Sequence, residues 1–219
     1  LSDARLAGVR ALAARAGEVA AEHEAAVSTL ESLAENSDYL VRREAASALA
    51  GMGLPPPAVG PVATGRTGPV YAQILSQTDR ERVVEVVTTR GSFRIRLACP
   101  QAPLTCLSFL QLAGQGFFDG LTFHRVVPDF VVQTGDPRGD GWGGPGFALR
   151  DEINRQRFGR GAVGMALSGP DTGGSQFFIA LAPQPHLDGG YTVFGQVMGD
   201  DSVLDRIRQE DGLVTIREI

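Results

Sequence analysis

The chain has 219 residues, is 43% hydrophobic and carries a formal net charge of −5. That is enough apolar material for one large domain, or for a domain with an extension. The acidic balance, with no run of basic residues, excludes a phosphate-tracking surface and a basic membrane patch. All 20 basic residues are Arg, which also excludes lysine chemistry such as a P-loop or a Schiff base.

Residues 1–53 are rich in Ala, Glu and Arg and hold no Pro, Phe or Trp. Leu6, Val9, Ala13, Ala16 and Ala20 recur at helical spacing, as do Val27, Leu30, Leu33 and Ala34, and then Val41, Ala45, Ala48, Leu49 and Met52. Ser37 and Asp38 offer an N-cap to the third segment, and Gly51 and Gly53 end it. Three short helices are therefore expected. The pair "EHEAAVSTLESLAENSDYLVRREAASALAGMG" resembles a HEAT-type helical repeat over about one repeat. That resemblance implies an interaction surface for a protein partner; a small helical cap is the plainer alternative.

Residues 54–81 read as a linker. Pro55–Pro57 favour a stiff extended run and the glycines after it loosen the chain, while "VYAQIL" fits one or two helical turns. From Arg82 the period changes to two. "RVVEVVTTRGSFRIRLA" reads as a hairpin with Val84, Val86, Phe93, Ile95 and Leu97 inward and Arg90-Gly91 at the tip. Pro103 suits the first position of a helix that carries Cys106, Phe109, Leu110 and Ala113 on one face and stops at Gly114 and Gly116. Short strands separated by glycines follow to residue 197. Asp200 and Asp201 can cap a second helix with Val203, Leu204 and Ile207, and "GLVTIREI" closes as a strand. Many short strands with two helices point to a closed antiparallel barrel with helices over its ends.

No apolar stretch reaches ~18 residues, so no transmembrane helix is expected. The chain opens with Leu1 and shows no signal peptide. That start favours a trimmed product of a bacterial cell envelope or periplasm over the cytoplasm; proteolysis accounts for it equally. Cys99 and Cys106 cannot form a zinc site unaided. They read as two buried thiols, with a local disulfide as the alternative in an oxidising compartment.

"FHRVVPDFVVQTGD" places His124, Arg125 and Gln133 among apolar residues. Pro128 gives no ladder hydrogen bond, so the strand must bend or break there. A bend brings Arg125, Phe130 and Gln133 onto one concave face. Together with "FDGL" before it and "GAVGMALSGPDTGGSQFFIALAPQPHLDGGYTVFGQV" after it, this stretch resembles a cyclophilin over about residues 82–219. The resemblance implies a closed eight-stranded antiparallel barrel capped by two helices, and peptidyl-prolyl cis-trans isomerase activity on Pro-containing peptides and proteins.

Carried over residue by residue, the resemblance makes Arg125 the catalytic residue. It makes His124, Phe130, Val131, Gln133, Ala166, Gln176, Phe178, His186, Leu187 and Tyr191 the substrate-binding ones. Phe130, Phe178, Leu187 and Tyr191 would hold the proline ring; Gln133 and the backbone of Met165 and Ala166 would fix the peptide. No metal, ATP or other cofactor is implied. His186 stands where the family often has Trp, which argues against tight cyclosporin binding. Tyr191 stands where His is frequent, and Trp142 where a small residue is usual. Trp142 either narrows a pocket for residues upstream of proline or packs on the loop glycines. His124 reads as structural rather than as a proton carrier, and His23 as an exposed helix residue. The carboxylates of Asp151 and Glu152 are expected to pair with nearby Arg. "RGDGWGGPG" lacks the Lys and Ser/Thr of a phosphate loop.

A barrel that captures Pro-containing segments without turnover, docked through the helical arm, is the alternative to a working isomerase.

Overall fold

The computed structural model describes residues 2–18, 20–36, 38–59, 68–76 and 78–219. The chain divides into two compact units, 1–66 and 67–219. Among the described residues no helix is long and apolar enough to cross a membrane.

The first unit holds three helices, α1 (Ser2–Glu18), α2 (Ala20–Leu33) and α3 (Tyr39–Gly51). Their spaced apolar positions meet in one core of Val9, Leu30, Ala34, Val41, Ala45 and Leu49. The pair that resembles a HEAT-type repeat, α2 and α3, thus shares its core with α1. Asp38 caps α3 by accepting from the Leu40 N–H at 2.9 Å, while Ser37 lies outside the described residues. The side chain of His23 is exposed.

Within the stretch read as linker, Gly68–Ser76 forms α4, which belongs to the second unit; residues 60–67 lie outside the described set. The second unit then runs β1 (Arg82–Thr88), β2 (Gly91–Leu97), α5 (Pro103–Gly114), β3 (Leu121–Thr122), β4 (Arg125–Val127) and β5 (Val131–Thr134). It continues with β6 (Ala162–Met165), β7 (Phe177–Ala180), β8 (Val193–Met198), α6 (Ser202–Arg206) and β9 (Gly212–Glu218). All pairings are antiparallel, in the order β3-β9-β1-β2-β8-β6-β7-β5-β4.

The sheet therefore has nine strands rather than eight, curled into a half-barrel. The edge strands β3 and β4 are separated in the chain by Phe123 and His124 alone. What would be one bent strand of a closed barrel is interrupted there, and the covalent chain spans the seam. Thr134 Oγ1 of β5 adds a cross-tie by donating to the Thr122 carbonyl of β3 at 2.8 Å.

Inside the curl, Phe109 of α5 is the hub of the core. It meets Phe118 at 5.2 Å, Phe177 edge-on at 5.3 Å and Phe194 at 5.3 Å between ring centroids. Val84, Val86, Phe93, Ile95 and Leu97 supply the hairpin's inward face, as their alternation requires. Cys99 and Cys106 are free, buried thiols. Cys106 Sγ donates to the Phe194 carbonyl at 3.5 Å, and the adjoining Cys99 together with burial pushes its pKa up, so it stays protonated.

One electrostatic expectation is corrected. Glu152 is paired with a helix end rather than with an Arg. Its Oε1 accepts from the Leu104 N–H at 3.0 Å and its Oε2 from the Thr105 N–H at 2.8 Å, because α5 begins at Pro103 with Ala102 at its cap position, which has no side-chain oxygen to offer. Asp151 and Asp171 clasp one another's backbone N–H at 2.9 and 3.0 Å. At α6 the cap falls to Asp200, which accepts from the Ser202 N–H at 2.9 Å. Asp201 instead takes Arg160 Nε at 2.8 Å.

A carboxylate that satisfies two orphan N–H groups at a helix start stabilises by about 1–2 kcal/mol. Glu152→Ala is therefore expected to lower the unfolding free energy by about that amount, measured by urea titration. An unchanged midpoint would show that water replaces the cap at no cost.

Candidate active site

The chain reverses at Pro128–Phe130 instead of bending. β4 ends at Val127, Asp129 takes φ 57°, and β5 returns from Val131, so that Arg125 faces Gln133 across the pair. Gln133 in turn faces Phe178 on β7, Phe178 faces Gly164 on β6, and Gly164 faces Val193 on β8. Directly opposed residues of neighbouring strands project to the same side. One row across five strands thus carries Arg125, Gln133, Phe178, Gly164 and Val193 on a common face, outside the main core. Alternation sends Phe177 the other way, into that core.

Along this row the polar groups form a relay. Arg125 Nη1 donates to Gln133 Oε1 at 3.2 Å. Gln133 Nε2 donates to Gln176 Oε1 at 3.0 Å, and Gln176 Nε2 donates to the carbonyls of Gly141 and Gly143 at 3.0 and 2.8 Å. The guanidinium lies 5.4 Å from the centre of the Phe130 ring. Arg125 is exposed, and among the described residues no carboxylate forms an ion pair with it.

Beside the relay lies a second apolar cluster, separate from the barrel core. Val131, Phe158, Ala162, Phe178, Leu187 and Val193 build it, with Phe130, Ala166 and Tyr191 packed against it. Phe178 stacks on Phe158 at 5.3 Å and meets Tyr191 edge-on at 5.7 Å. His186 stacks on Phe130 at 5.7 Å and is exposed. The Ala166 N–H is spent on the Gln176 carbonyl at 3.0 Å. The structure therefore places ten of the eleven predicted residues in the relay or in the apolar cluster beside it.

His124 stands apart. The residue is only 9% exposed, and neither ring nitrogen has a partner among the described residues. It lines a neighbouring cleft with Arg125, Gln133, Asp140, Trp142 and Glu210. Burial lowers its pKa below the usual 6.5, against the opposing pull of Asp136 and Glu210. Trp142 is 59% exposed on the wall of that cleft.

Several residues that shape the groove had escaped the sequence reading. Phe158 forms the floor under Phe178; its N–H donates to Asp188 Oδ1 at 2.8 Å and its carbonyl accepts from the Gln184 N–H at 2.7 Å. Gln184 Nε2 also donates to the Asp129 carbonyl at 2.7 Å, which ties the loop carrying His186 and Leu187 to the turn carrying Phe130. Asp136 is buried and accepts from the N–H groups of Arg138 at 2.7 Å and Gly141 at 2.5 Å. A Cβ on Gly143 would sit 1.9 Å from that carboxylate, so only glycine fits there. Gly164 is forced likewise, since a Cβ would come within 2.5 Å of Phe178 and 2.6 Å of Phe158. The one sequence signal for Phe158 was a lone aromatic in the polar run "RQRFGRG".

An apolar slot flanked by an uncommitted guanidinium and a fixed row of amides suits a peptide whose reacting bond needs electrostatic help but no nucleophile. Among the described residues no group of three His, Cys, Asp or Glu is placed to hold a metal ion. These features define a barrel with an apolar cluster and a polar relay side by side on its outer face.

Comparison with known proteins gives the family. The model for cyclophilin type peptidyl-prolyl cis-trans isomerases matches residues 83–217. A peptidyl-prolyl cis-trans isomerase of Synechococcus elongatus is 46% identical over 132 residues, which are 59% of this chain and 91% of that protein. A peptidyl-prolyl cis-trans isomerase-like 1 protein of Rhizopus delemar is 47% identical over 135 residues, covering 59% of this chain and 81% of that one. A crystal structure of a cyclophilin type isomerase from Cryptosporidium parvum superposes with a TM-score of 0.61 at 31% identity, over 64% of this chain and 98% of that one. The same protein in the presence of the dipeptide Ala-Pro gives 0.59 at 31% identity, over 62% and 97%. The chain belongs to the cyclophilin-type peptidyl-prolyl cis-trans isomerases.

Two outcomes follow from the geometry. Gly164→Ala must push Phe178 or Phe158 aside, and overpacking of this kind costs about 1–3 kcal/mol; a lower thermal midpoint with a changed near-ultraviolet spectrum is expected, and an unaltered spectrum would show that the rings yield freely. His124, whose pKa in the folded state is depressed, leaves the unfolded chain binding more protons as pH falls below about 6.5. Its contribution to stability is thus complete above that pH and is lost as pH drops through the folded-state value. Urea midpoints at pH 7.5 and 5.5 should diverge in the unmutated chain and less so in His124→Gln.

Proposed function

We propose that the groove between Arg125 and the Phe178 slot binds X–Pro segments of proteins and that Arg125 stabilises the twisted amide. The observation that carries this reading is a guanidinium held at the lip of an aromatic slot by one amide and one ring face, with no carboxylate among the described residues to neutralise it.

Rotation about a peptide bond faces a barrier of about 18–20 kcal/mol, because the C–N bond has partial double-bond character. For X–Pro bonds exchange takes tens to hundreds of seconds. As the bond twists, conjugation is lost and the nitrogen gains a lone pair. A donor aimed at that nitrogen interacts with the twisted state and hardly at all with the planar one, which is the condition for acceleration.

In this scheme Phe130, Phe178, Leu187 and Tyr191 hold the pyrrolidine ring while the rest of the peptide rotates. Gln133, already polarised by Gln176, takes a backbone contact of the peptide. The carbonyl of Ala166 serves as the backbone acceptor, since its N–H is occupied. A cyclophilin type isomerase of similar fold was crystallised in the presence of Ala-Pro, which supports an X–Pro ligand for this groove.

The helical unit has a core of its own and lies outside the region matched by the family model. On that ground we propose it as a docking arm for a protein partner, which leaves capture of Pro-containing segments as an added role.

Exchange NMR on an Ala-Pro test peptide decides between turnover and capture. Removal of one transition-state donor costs about 10²–10³-fold in rate, so Arg125→Ala should lose exchange by about that factor while the peptide still binds. Binding by the unmutated chain with no accelerated exchange would move the assignment to a capture module.

A further inference from the structure

We propose that the cleft of about 580 Å³ beside Arg125 is a selectivity pocket for a cationic side chain, arginine above all, in the substrate segment flanking the proline. The proposal rests on the assignment of the neighbouring groove to X–Pro peptides. The cleft shares Arg125 and Gln133 with that groove but none of the residues of the apolar slot, so it takes a different part of the same peptide.

Four features of the lining point to a cation. His124 is buried against the cleft with both ring nitrogens unpartnered. A neutral imidazole keeps one nitrogen as an acceptor, and an orphaned acceptor at the foot of a cleft is satisfied by an incoming N–H donor. Glu210 adds a carboxylate that makes no hydrogen bond or ion pair among the described residues. Its backbone sits at φ 67°, a conformation that a glutamate adopts only under constraint. Here the constraint is visible: the Glu210 N–H donates to the Phe123 carbonyl at 3.0 Å, which fixes the residue beside His124.

Asp140 supplies the second carboxylate. It is held ionised by the Trp142 N–H at 2.9 Å and by Arg138 at 2.5 Å. Trp142, finally, stands 59% exposed on the wall. An indole face is the best aromatic surface for a cation.

The charges that line the cleft are Asp140, Glu210 and the opposing Arg125. Arg125 lies over Phe130 and is directed to Gln133, which leaves Glu210 as the charge without a counterpart. A planar guanidinium stacks flat on an indole while its five in-plane donors reach several acceptors, and it is more weakly hydrated than an ammonium. That favours arginine over lysine. Metal binding is disfavoured because no group of three ligating side chains is assembled among the described residues.

The test uses Ala-Pro peptides with Arg, Ala or Glu placed two residues before or two residues after the proline. Two readouts are taken on the full chain: kcat/KM by exchange NMR, and affinity by fluorescence of Trp142, the only tryptophan in the sequence. At one of the two positions the Arg peptide should exceed its Ala counterpart about tenfold, the size of one charge-assisted contact, and the Glu peptide should fall below it. In Glu210→Gln and in Trp142→Ala that advantage should shrink to about twofold or less, with turnover of the Ala peptides unchanged. Equal values for Arg and Ala peptides at both positions, or an Arg preference that survives Glu210→Gln, would overturn the pocket. If no peptide is turned over, the isomerase reading of the groove fails by itself. The fluorescence affinities then decide the pocket alone: tighter Arg binding that is lost in Glu210→Gln upholds it, and equal affinities overturn it.

Discussion

Much of this site depends on the pairing of Arg125 with Gln133 across the β4–β5 reversal. The register of those two short strands is set by the three residues that turn the chain, Pro128, Asp129 and Phe130. A slip of one residue would send Arg125 into the barrel and Val126 onto the groove, because side chains alternate along a strand. With the register fixed, Gln133 is passed on to Gln176, and Gln176 to the carbonyls of Gly141 and Gly143. One cross-strand pair thereby connects the guanidinium, the amides of Gln133 and Gln176 and the loop that carries Trp142. Asp136 holds the same loop from beneath, so the groove is fastened from both ends of the relay.

Two apolar clusters lie on opposite faces of one sheet, and the division explains how a barrel keeps its fold while offering an apolar slot. Phe177 belongs to the inner core and the adjacent Phe178 to the outer slot. The inner cluster is closed by α5 and α6. The outer one is closed by the 150–160 segment, which has no regular structure, and by the 184–188 loop with its single 3-10 turn at Pro185–Leu187. Those stretches carry little intrinsic preference, and their positions are set by discrete hydrogen bonds: Glu152 to the start of α5, Asn154 Nδ2 to the Val193 carbonyl at 2.9 Å, Phe158 to Asp188, and Arg160 Nη1 to the Leu181 carbonyl at 2.7 Å. Each satisfies backbone groups that no ladder serves.

That division also marks what a reader of the sequence could and could not find. The β1–β2 hairpin, α5 and the break at Pro128 were legible, because each announces itself by local period or by a proline, while the grouping of Phe130, Phe178, Leu187 and Tyr191 came only from the resemblance to cyclophilins carried by runs such as "GSQFF". Phe158, Gly164, Asp136 and Glu152 were not. Their roles exist only across sequence separations that no local pattern encodes, such as Glu152 reaching Leu104 or Gly164 leaving space for Phe178. Glu152 was misassigned for a related reason. In a chain with 20 Arg a carboxylate looks destined for an ion pair, yet the orphan N–H groups of α5 lay nearer. His124 was legible as the neighbour of Arg125 but not as the wall of another cleft, because the direction of its ring depends on the seam between β3 and β4.

The same abundance of arginine gives the state of Arg125 its meaning. Several other arginines are neutralised where they stand: Arg82 by Glu218, Arg90 by Asp211, Arg160 by Asp201 and Asp205, Arg217 by Glu85. Those pairs brace the ends of strands, where a fixed geometry is useful. Arg125 is kept by a neutral amide and a ring face, both of which it can leave at small cost. A carboxylate in the place of Gln133 would position the guanidinium equally well. On the proposed reading it would also draw off the charge offered to the twisted amide, since an ion pair must be weakened before its cation can serve another acceptor. An acidic protein with an arginine held by a glutamine has thus separated two tasks that a salt bridge would merge, namely aiming the group and neutralising it.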